Sequence, residues 1–331
     1  MMSEKLMEIK RATWSGQETT QHPVVLTIAG DSAAGKTTLT KGLVDALGAE
    51  NVTAVCADDY HRYDREERRD LPFTPLNPRC NYIDIMEQHL QLLAAGQPIL
   101  KPKYDHETGT FGRPEFVEAR RFVIVEGLLP LHTKLAQACA DVSVFLDPPE
   151  PIRREWKIAR DSTKRGYTRE QVIAELAKRE SESAEFIRPQ RASADIVVRF
   201  GPLHEPADGV WPHAHEDADG ETLSATLLLR PTVSHPDLST VLIEENRRAI
   251  HLKLTRDDDG KPVDALHVHG HAPPQLSRQV EDAMWRGLGF SDDTMMPSGI
   301  GAIDGIRNEP LAVTQLILVY HLLQLAAERE R

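Results

Sequence analysis

At 331 residues the chain has room for one large domain or two of ordinary size, and its 40% hydrophobic and 27% charged residues describe a globular rather than a disordered protein. A formal net charge of −12 opposes unspecific binding to nucleic acid or an anionic membrane, so an anionic ligand needs a local cationic site. The three cysteines, Cys56, Cys80 and Cys139, form neither a disulfide framework nor a zinc pattern and fit a reducing compartment.

Residues 1–22 read as a polar tail. They lack an apolar h-region and carry Glu4, Glu8 and Glu18, which argues against a transit peptide. No uninterrupted apolar run approaches the ~20 residues of a membrane span, and a cytoplasmic protein is the expectation.

From residue 23 strand and helix signals alternate. "PVVLTIAG" (23–30) is a short apolar run ending at glycine, the mark of a buried strand. "KTTLTKGLVDALG" follows with Leu39, Leu43 and Leu47 at i, i+4 and i+8 and Gly48 as a helix stop. "NVTAVCA" is a second strand, and "YIDIMEQHLQLLAAG" a second amphipathic helix. "RFVIVEG" (121–127) and "DVSVFLD" (141–147) are further strands, each closing on a carboxylate. Helical sequence runs from 150 to about 186, with "TREQ" (168–171) as a capping box. "DIVVRF" (195–200) ends the series. This order predicts an α/β fold with a mainly parallel sheet flanked by helices. Ligands of such sheets sit beyond the C-terminal strand ends, where Gly30, Asp58, Glu126 and Asp147 fall.

After Phe200, "GPLHEPADGVWPHAHEDADGE" reads as a linker. "TLSATLLLR", "STVLIEE", "RAIHLKLTRD" and "VDALHVHG" then read as an antiparallel meander, and helices are expected near 275–287 and 309–328. The division is thus a core over 23–200 and a smaller α+β extension over 201–331. In "HVHGH", His267, His269 and His271 share one strand face, read as an exposed face rather than a metal site.

"GDSAAGKTT" fits G-x-x-x-x-G-K-[ST] between a strand and a helix. Backbone N–H groups of such a loop cradle a polyphosphate. Gly30, Asp31, Ser32, Ala33, Ala34, Gly35, Lys36, Thr37 and Thr38 are therefore the expected ATP-binding residues, with Lys36 on the β- and γ-phosphates and Thr37 on Mg²⁺. Glu126, ending its strand where a Walker B Asp is usual, is the second candidate for the metal.

"VCADDYHRYDREERRD" (55–70) brings Asp58 and Asp59 to the same sheet edge beside Arg62, Arg65, Arg68 and Arg69. A kinase for a small hydroxyl substrate needs a base there, and guanidinium forks suit a phosphorylated acceptor. Arg153, Lys157, Arg160 and Lys164 share one helical face. That face is either a solvated stripe or a lid over the phosphates, with Arg160, Asp161 and Arg165 the residues to test.

With "GDSAAGKT", "DDYHRYDR", "PKYDHETG", "VIVEGLLPLH" and "WKIARDSTKRGYT" in this order, the chain resembles phosphoribulokinases, within the P-loop kinases that also hold uridine kinase. The resemblance covers about 25–200 closely and the extension loosely. It is nearer the plant, cyanobacterial and archaeal types than the proteobacterial one. It implies Mg²⁺-dependent, ATP-driven phosphorylation of ribulose 5-phosphate at its C1 hydroxyl, in the Calvin cycle of carbon fixation, by a cytoplasmic homodimer. A uridine-type nucleoside kinase and a catalytically silent ATP-binding regulator are the alternatives.

Carried over by match, Asp58 is the general base and shares the metal with Thr37 and Glu126. His61 and Arg65 bind the sugar phosphate, Tyr104 and His106 line the sugar site, and Lys157, Arg160, Asp161 and Arg165 fall on lid and substrate positions. Lys36, Arg160 and Asp161 are counted with Asp58 as catalytic. Plant members are switched by a disulfide joining a phosphate-loop cysteine to one before the paired Asp. Here Cys56 holds the second place but Ala34 stands at the first, which excludes that switch.

Overall fold

Seven consecutive buried residues, Val24–Gly30, form β1 of a computed structural model that describes residues 22–202, 223–258, 260–289, 295–303 and 305–330. Helix α1 (Lys36–Leu47) and β2 (Val52–Cys56) follow. Next come α2 (Ile83–Ala94), the short strands β3 (Ile99–Lys101), β4 (Tyr104–Asp105), β5 (Thr110–Phe111) and β6 (Glu115–Val117), and β7 (Phe122–Gly127). Then α3 (Lys134–Ala138), β8 (Val142–Leu146), α4 (Glu150–Lys164), α5 (Arg169–Glu182) and β9 (Ile196–Gly201) complete the first two hundred residues. Beyond them lie β10 (Ser224–Leu229), β11 (Ile250–Arg256), β12 (Pro262–Val268), α6 (Pro274–Gly287), β13 (Ala302–Ile303), β14 (Ile306–Arg307) and α7 (Glu309–Arg329).

The chain divides into two compact units, His22–Lys36 with Thr53–Ala194, and Thr37–Val52 with Asp195 onward. In the first, the strand order is β8-β1-β7-β2, and β1 runs parallel to both β7 and β8. Their near-continuous burial suits strands covered on both faces. Met86, Leu90 and Leu93, at helical spacing on α2, pack with Val25, Val123 and Val125. The expected capping box opens α5: Thr168 N donates to Gln171 Oε1 at 2.8 Å and Gln171 N to Thr168 Oγ1 at 3.3 Å. A π-turn, Ser183–Ile187, follows α5 directly. The hairpins β3–β6 and β4–β5 have no counterpart in the sequence reading, because strands of two or three residues show no periodicity.

In the second unit β10 pairs antiparallel with β9 and β12, and β12 with β11. The order β11-β12-β10-β9 corrects the expected meander: β12 turns back between β10 and β11. "STVLIEE" is also not a strand. It forms turns and the 3₁₀ helix Glu244–Asn246, closed by Asn246 Nδ2 donating to Val241 O at 3.0 Å. Most of the expected linker and tail lies outside the described residues.

Helix α7 is, among the described residues, the one helix long and apolar enough to cross a membrane, yet most of it is buried. Its fully buried Gln315 takes Gly301 N at 2.7 Å and donates to Thr38 O and Leu39 O at 3.3 Å each. Gly42 of α1 makes room for it, since a Cβ there would lie 2.1 Å from Gln315 Nε2. On the strands, His251 faces His267 in register with rings stacked at 4.7 Å, and His251 Nδ1 lies 2.9 Å from His269 Nε2. Among the described residues no group of three or more His, Cys, Asp or Glu could hold a metal ion unaided.

Candidate active site

The phosphate loop leaves β1 in backbone conformations that explain its composition. Gly30 has φ 156°, and a Cβ there would meet Leu146 O at 2.9 Å. Ala33 (φ 66°) and Gly35 (φ 98°) are left-handed, a strain that for an alanine is tolerated where a site requires it. Lys36 is buried and turns back on the loop, donating from Nζ to Gly30 O at 2.9 Å and to Asp31 O at 3.0 Å.

Helix α4 braces this loop. Arg153 and Lys157 are buried, which removes the reading of their face as a solvated stripe; only Lys164 of the four is exposed. Arg153 donates to Ser32 O at 2.8 Å and lies 3.5 Å from an Asp31 carboxylate oxygen, while Arg160 reaches Ser32 Oγ at 3.2 Å. Lys157 pairs with Asp161 at 2.6 Å, and Arg160 and Arg165 lie 2.8 and 3.5 Å from the same carboxylate. Burial and the charge of Arg179 push Lys157 down to about 8, against the pull of Asp161. Burial would raise Asp161, but the hydrogen bonds and charges of Arg160 and Lys157 outweigh it and hold the carboxyl below its usual range.

At the end of β2 the two aspartates part company. Asp59 is buried, ion-paired with Lys101, and accepts Tyr104 N at 3.0 Å, so it ties the 3₁₀ turn Ala57–Tyr60 to the hairpin strands. Asp58 remains half-buried, its Oδ1 fixed by Leu128 N at 2.8 Å. Glu126 is buried at the end of β7. The Cys56 thiol registers the resulting charge: burial pushes it up, reinforced by Asp58, Glu126 and Asp59. A thiol held protonated in this way is a weak nucleophile. Asp147, the fourth carboxylate at a strand end, is spent on Arg191 at 2.9 Å.

His61, Tyr104 and His106 gather edge to face, with centroids 4.9 Å (His61–Tyr104) and 5.0 Å (Tyr104–His106) apart. Asn81 fixes the tautomer of His61. Its Nδ2 donates to Pro75 O at 3.0 Å and Asn77 O at 2.9 Å, so Oδ1 is the atom left to accept from His61 Nδ1, 2.7 Å away. Nε2 then carries a lone pair. Burial, aided by Arg68 and opposed by Asp58, pushes the imidazole down to about 4, so it is neutral at physiological pH. Burial also lowers His106, whose surroundings include the charges of Asp58, Arg165, Asp59 and Arg160.

The arginines of the same stretch differ in use. Arg65 donates to His106 O at 2.7 Å and Glu107 O at 3.1 Å, a close approach that Gly109 permits: a Cβ there would meet Arg65 Cβ at 2.6 Å. Arg68 donates to Tyr63 O and to the Tyr104 hydroxyl while covering the Tyr104 ring; Arg62 lies over Tyr82. The first unit thus gathers the phosphate loop up to Lys36 and the predicted Asp58, His61, Arg65, Tyr104, His106, Glu126, Lys157, Arg160, Asp161 and Arg165. Thr37 and Thr38 open α1 next in the chain. Asn81 and Lys101 escaped the sequence reading, since the site residues they hold, His61 and Asp59, lie 20 and 42 positions away in the chain.

A sequence model of the "Phosphoribulokinase / Uridine kinase family" matches residues 25–205, more than half of the chain. The chain belongs to that family. It is similar to a phosphoribulokinase of Synechocystis sp. (40% identity over 179 residues, 54% of this chain and 54% of the relative). A chloroplastic phosphoribulokinase of Arabidopsis thaliana matches at 29% over 232 residues (65% and 57%), and a uridine kinase of Deinococcus deserti at 29% over 193 residues (56% and 91%). The chain spans little more than half the length of the phosphoribulokinases it matches. Among solved structures, a phosphoribulokinase from Rhodobacter spheroides shares the fold, with a TM-score of 0.56 at 16% identity over 82% of this chain and 98% of the other. This is the expected P-loop kinase architecture, with a parallel sheet flanked by helices.

Proposed function

We propose that the chain transfers the γ-phosphoryl group of ATP to the C1 hydroxyl of ribulose 5-phosphate, giving ribulose 1,5-bisphosphate and ADP. The observation that carries this reading is Asp58: a half-buried carboxylate, anchored on one oxygen by Leu128 N, at the strand edge that also bears the phosphate loop. Its second oxygen takes the hydroxyl proton, the freed electron pair attacks the γ-phosphorus, and the β–γ bridge oxygen leaves with ADP. Nucleotide phosphates replace the loop carbonyls as partners of Lys36. Arg160, held by Asp161, then meets the charge that develops on the transferring group.

The acceptor's own phosphate falls to the cations: Arg65, with Lys157 and Arg165 as further donors. A neutral His61 with a lone pair on Nε2 suits a sugar hydroxyl better than a phosphate oxygen, which changes the role the resemblance gave it. Tyr104 and His106 form the wall beside it.

The carboxylates fit Mg²⁺. Burial raises the Cys56 thiol and the charges of Asp58 and Glu126 raise it further, which marks a concentration of negative charge at this strand edge. The two carboxylates would hold the ion together with nucleotide oxygens and waters. The metal would neutralise the phosphates and orient the γ-phosphoryl group. The segment 23–200 as catalytic core, 201–331 as an α+β extension, a cytoplasmic homodimer and a place in Calvin-cycle carbon fixation belong to the same reading. Coupled ADP release with Mg-ATP tests it, offering ribulose 5-phosphate and uridine in parallel. Turnover with the sugar phosphate alone is expected; turnover with uridine would retain the base and overturn the acceptor.

A further inference from the structure

Where α5 gives way to the π-turn, two adjacent side chains point to different loops of the site. Ser183, 2% exposed, donates its hydroxyl to Asp31 of the phosphate loop, a carboxylate that also faces Arg153 and accepts Ser32 N at 2.6 Å. Glu182 spends both carboxylate oxygens on the loop after the paired aspartates. It accepts Thr74 N at 2.9 Å, the Thr74 hydroxyl, and Asn77 Nδ2 at 3.0 Å. Asn77 O in turn accepts Asn81 Nδ2 at 2.9 Å, and Asn81 holds His61. A continuous run of hydrogen bonds therefore leads from Asp31 to His61 through one dipeptide, with every member in the first unit.

The dipeptide stands where the α-helix passes into a π-turn. A π-turn carries one extra residue in its hydrogen-bonded ring, is rare, and concentrates at functional sites. Glu182 (φ −73°, ψ −33°) and Ser183 (φ −60°, ψ −46°) keep helical dihedrals, so their side chains leave the backbone about 100° apart, and that divergence lets one meet the acceptor loop and the other the phosphate loop. We propose that Glu182 and Ser183 are positioning residues that tie the phosphate loop to the acceptor loop, so that nucleotide held by the one orders the other, His61 included. The proposal rests on the phosphoryl-transfer reading, but its test requires no acceptor.

The test is hydrogen–deuterium exchange of the full chain with and without saturating Mg-ADP, binding being verified by calorimetry. In the wild type, Mg-ADP slows exchange over residues 74–82 by about fivefold or more, the protection expected when a local opening becomes rarer. Ser183→Ala and Asn77→Ala, which cut the run at opposite ends, bind Mg-ADP yet lose most of that response. Glu185→Ala, an exposed neighbour on the same turn, keeps it. Two cuts guard against a variant that fails to fold, and thermal midpoints check each one. Mg-ADP bound without protection at 74–82 in the wild type, or with full protection in both cut variants, overturns the tie alone. No Mg-ADP binding by the wild type overturns the phosphoryl-transfer reading and the tie together.

Discussion

Two groups of imidazoles in this chain show how differently the same side chain can be set. His61 is buried beside Tyr104, and its one available hydrogen goes to an amide whose own hydrogens are committed to two carbonyls. His251 on β11, His267 on β12 and His269 just past the end of β12 stand half-exposed, stacked on and bonded to one another. Burial pushes His61 to about 4 and leaves a single tautomer; His251 and His269 are lowered too, yet their partners are imidazoles that exchange donor and acceptor roles freely. An imidazole becomes a specific instrument only when something rigid decides which nitrogen carries the proton.

The sharpest way to test the contrast is to disable each region in turn. Asp58→Asn beside the first group lowers turnover ~10²–10⁴-fold, the range for lost general-base catalysis, with Mg-ADP affinity retained. Steady-state rates and calorimetry check it, and near-normal turnover would remove Asp58 as the base. Next in size is the effect of acid. His61, and the buried His321 of the second unit, have folded values near 4 against about 6.5 unfolded. Between those values the unfolded state binds more protons, so stability rises with pH across the window and is lost as pH falls from 6.5 to 4. Each residue contributes ~3 kcal/mol to that loss. Denaturation midpoints at pH 7 and 4.5 should converge on replacing either one, and much less on replacing His251.

A smaller effect is expected from Lys157. Its value near 8 means the cation is lost as pH rises through 8, so KM for the sugar phosphate climbs above that pH while KM for ATP changes less. A flat profile to pH 9 would take Lys157 out of the acceptor site. Smallest of all, His251→Gln should alter stability by no more than ~0.5 kcal/mol and turnover not at all, as for surface positions outside a fixed network.

The elements that the sequence made legible are those with a strong period or a motif in context. β1 and the phosphate loop, α2 with Met86, Leu90 and Leu93, the Thr168–Gln171 box and α7 all lie where pattern places them. The order of the second sheet was not legible, because antiparallel strands of similar composition carry no label for their neighbours. The division of labour between Asp58, the base, and Asp59, a supporting residue, came from the family resemblance and not from the residues themselves. Identical and adjacent, they are told apart by Lys101, arriving from a three-residue strand, and by Tyr104 N, both of which bind Asp59. The protonation state of His61 depends on Asn81 and on burial, neither of which a motif encodes.

Gly42 carries a different kind of lesson. A glycine inside a helix sacrifices about 1 kcal/mol of propensity, and here the space it leaves is filled by the head of Gln315. Adding a methyl group at 42 would displace an amide that holds Thr38 O, Leu39 O and Gly301 N together. Neither position is then free to drift alone: Gly42→Ala is expected to be harmful beside glutamine and acceptable beside a shorter residue at 315. In a set of relatives the two should be inherited as a pair, an epistatic couple whose members lie 273 positions apart in the chain.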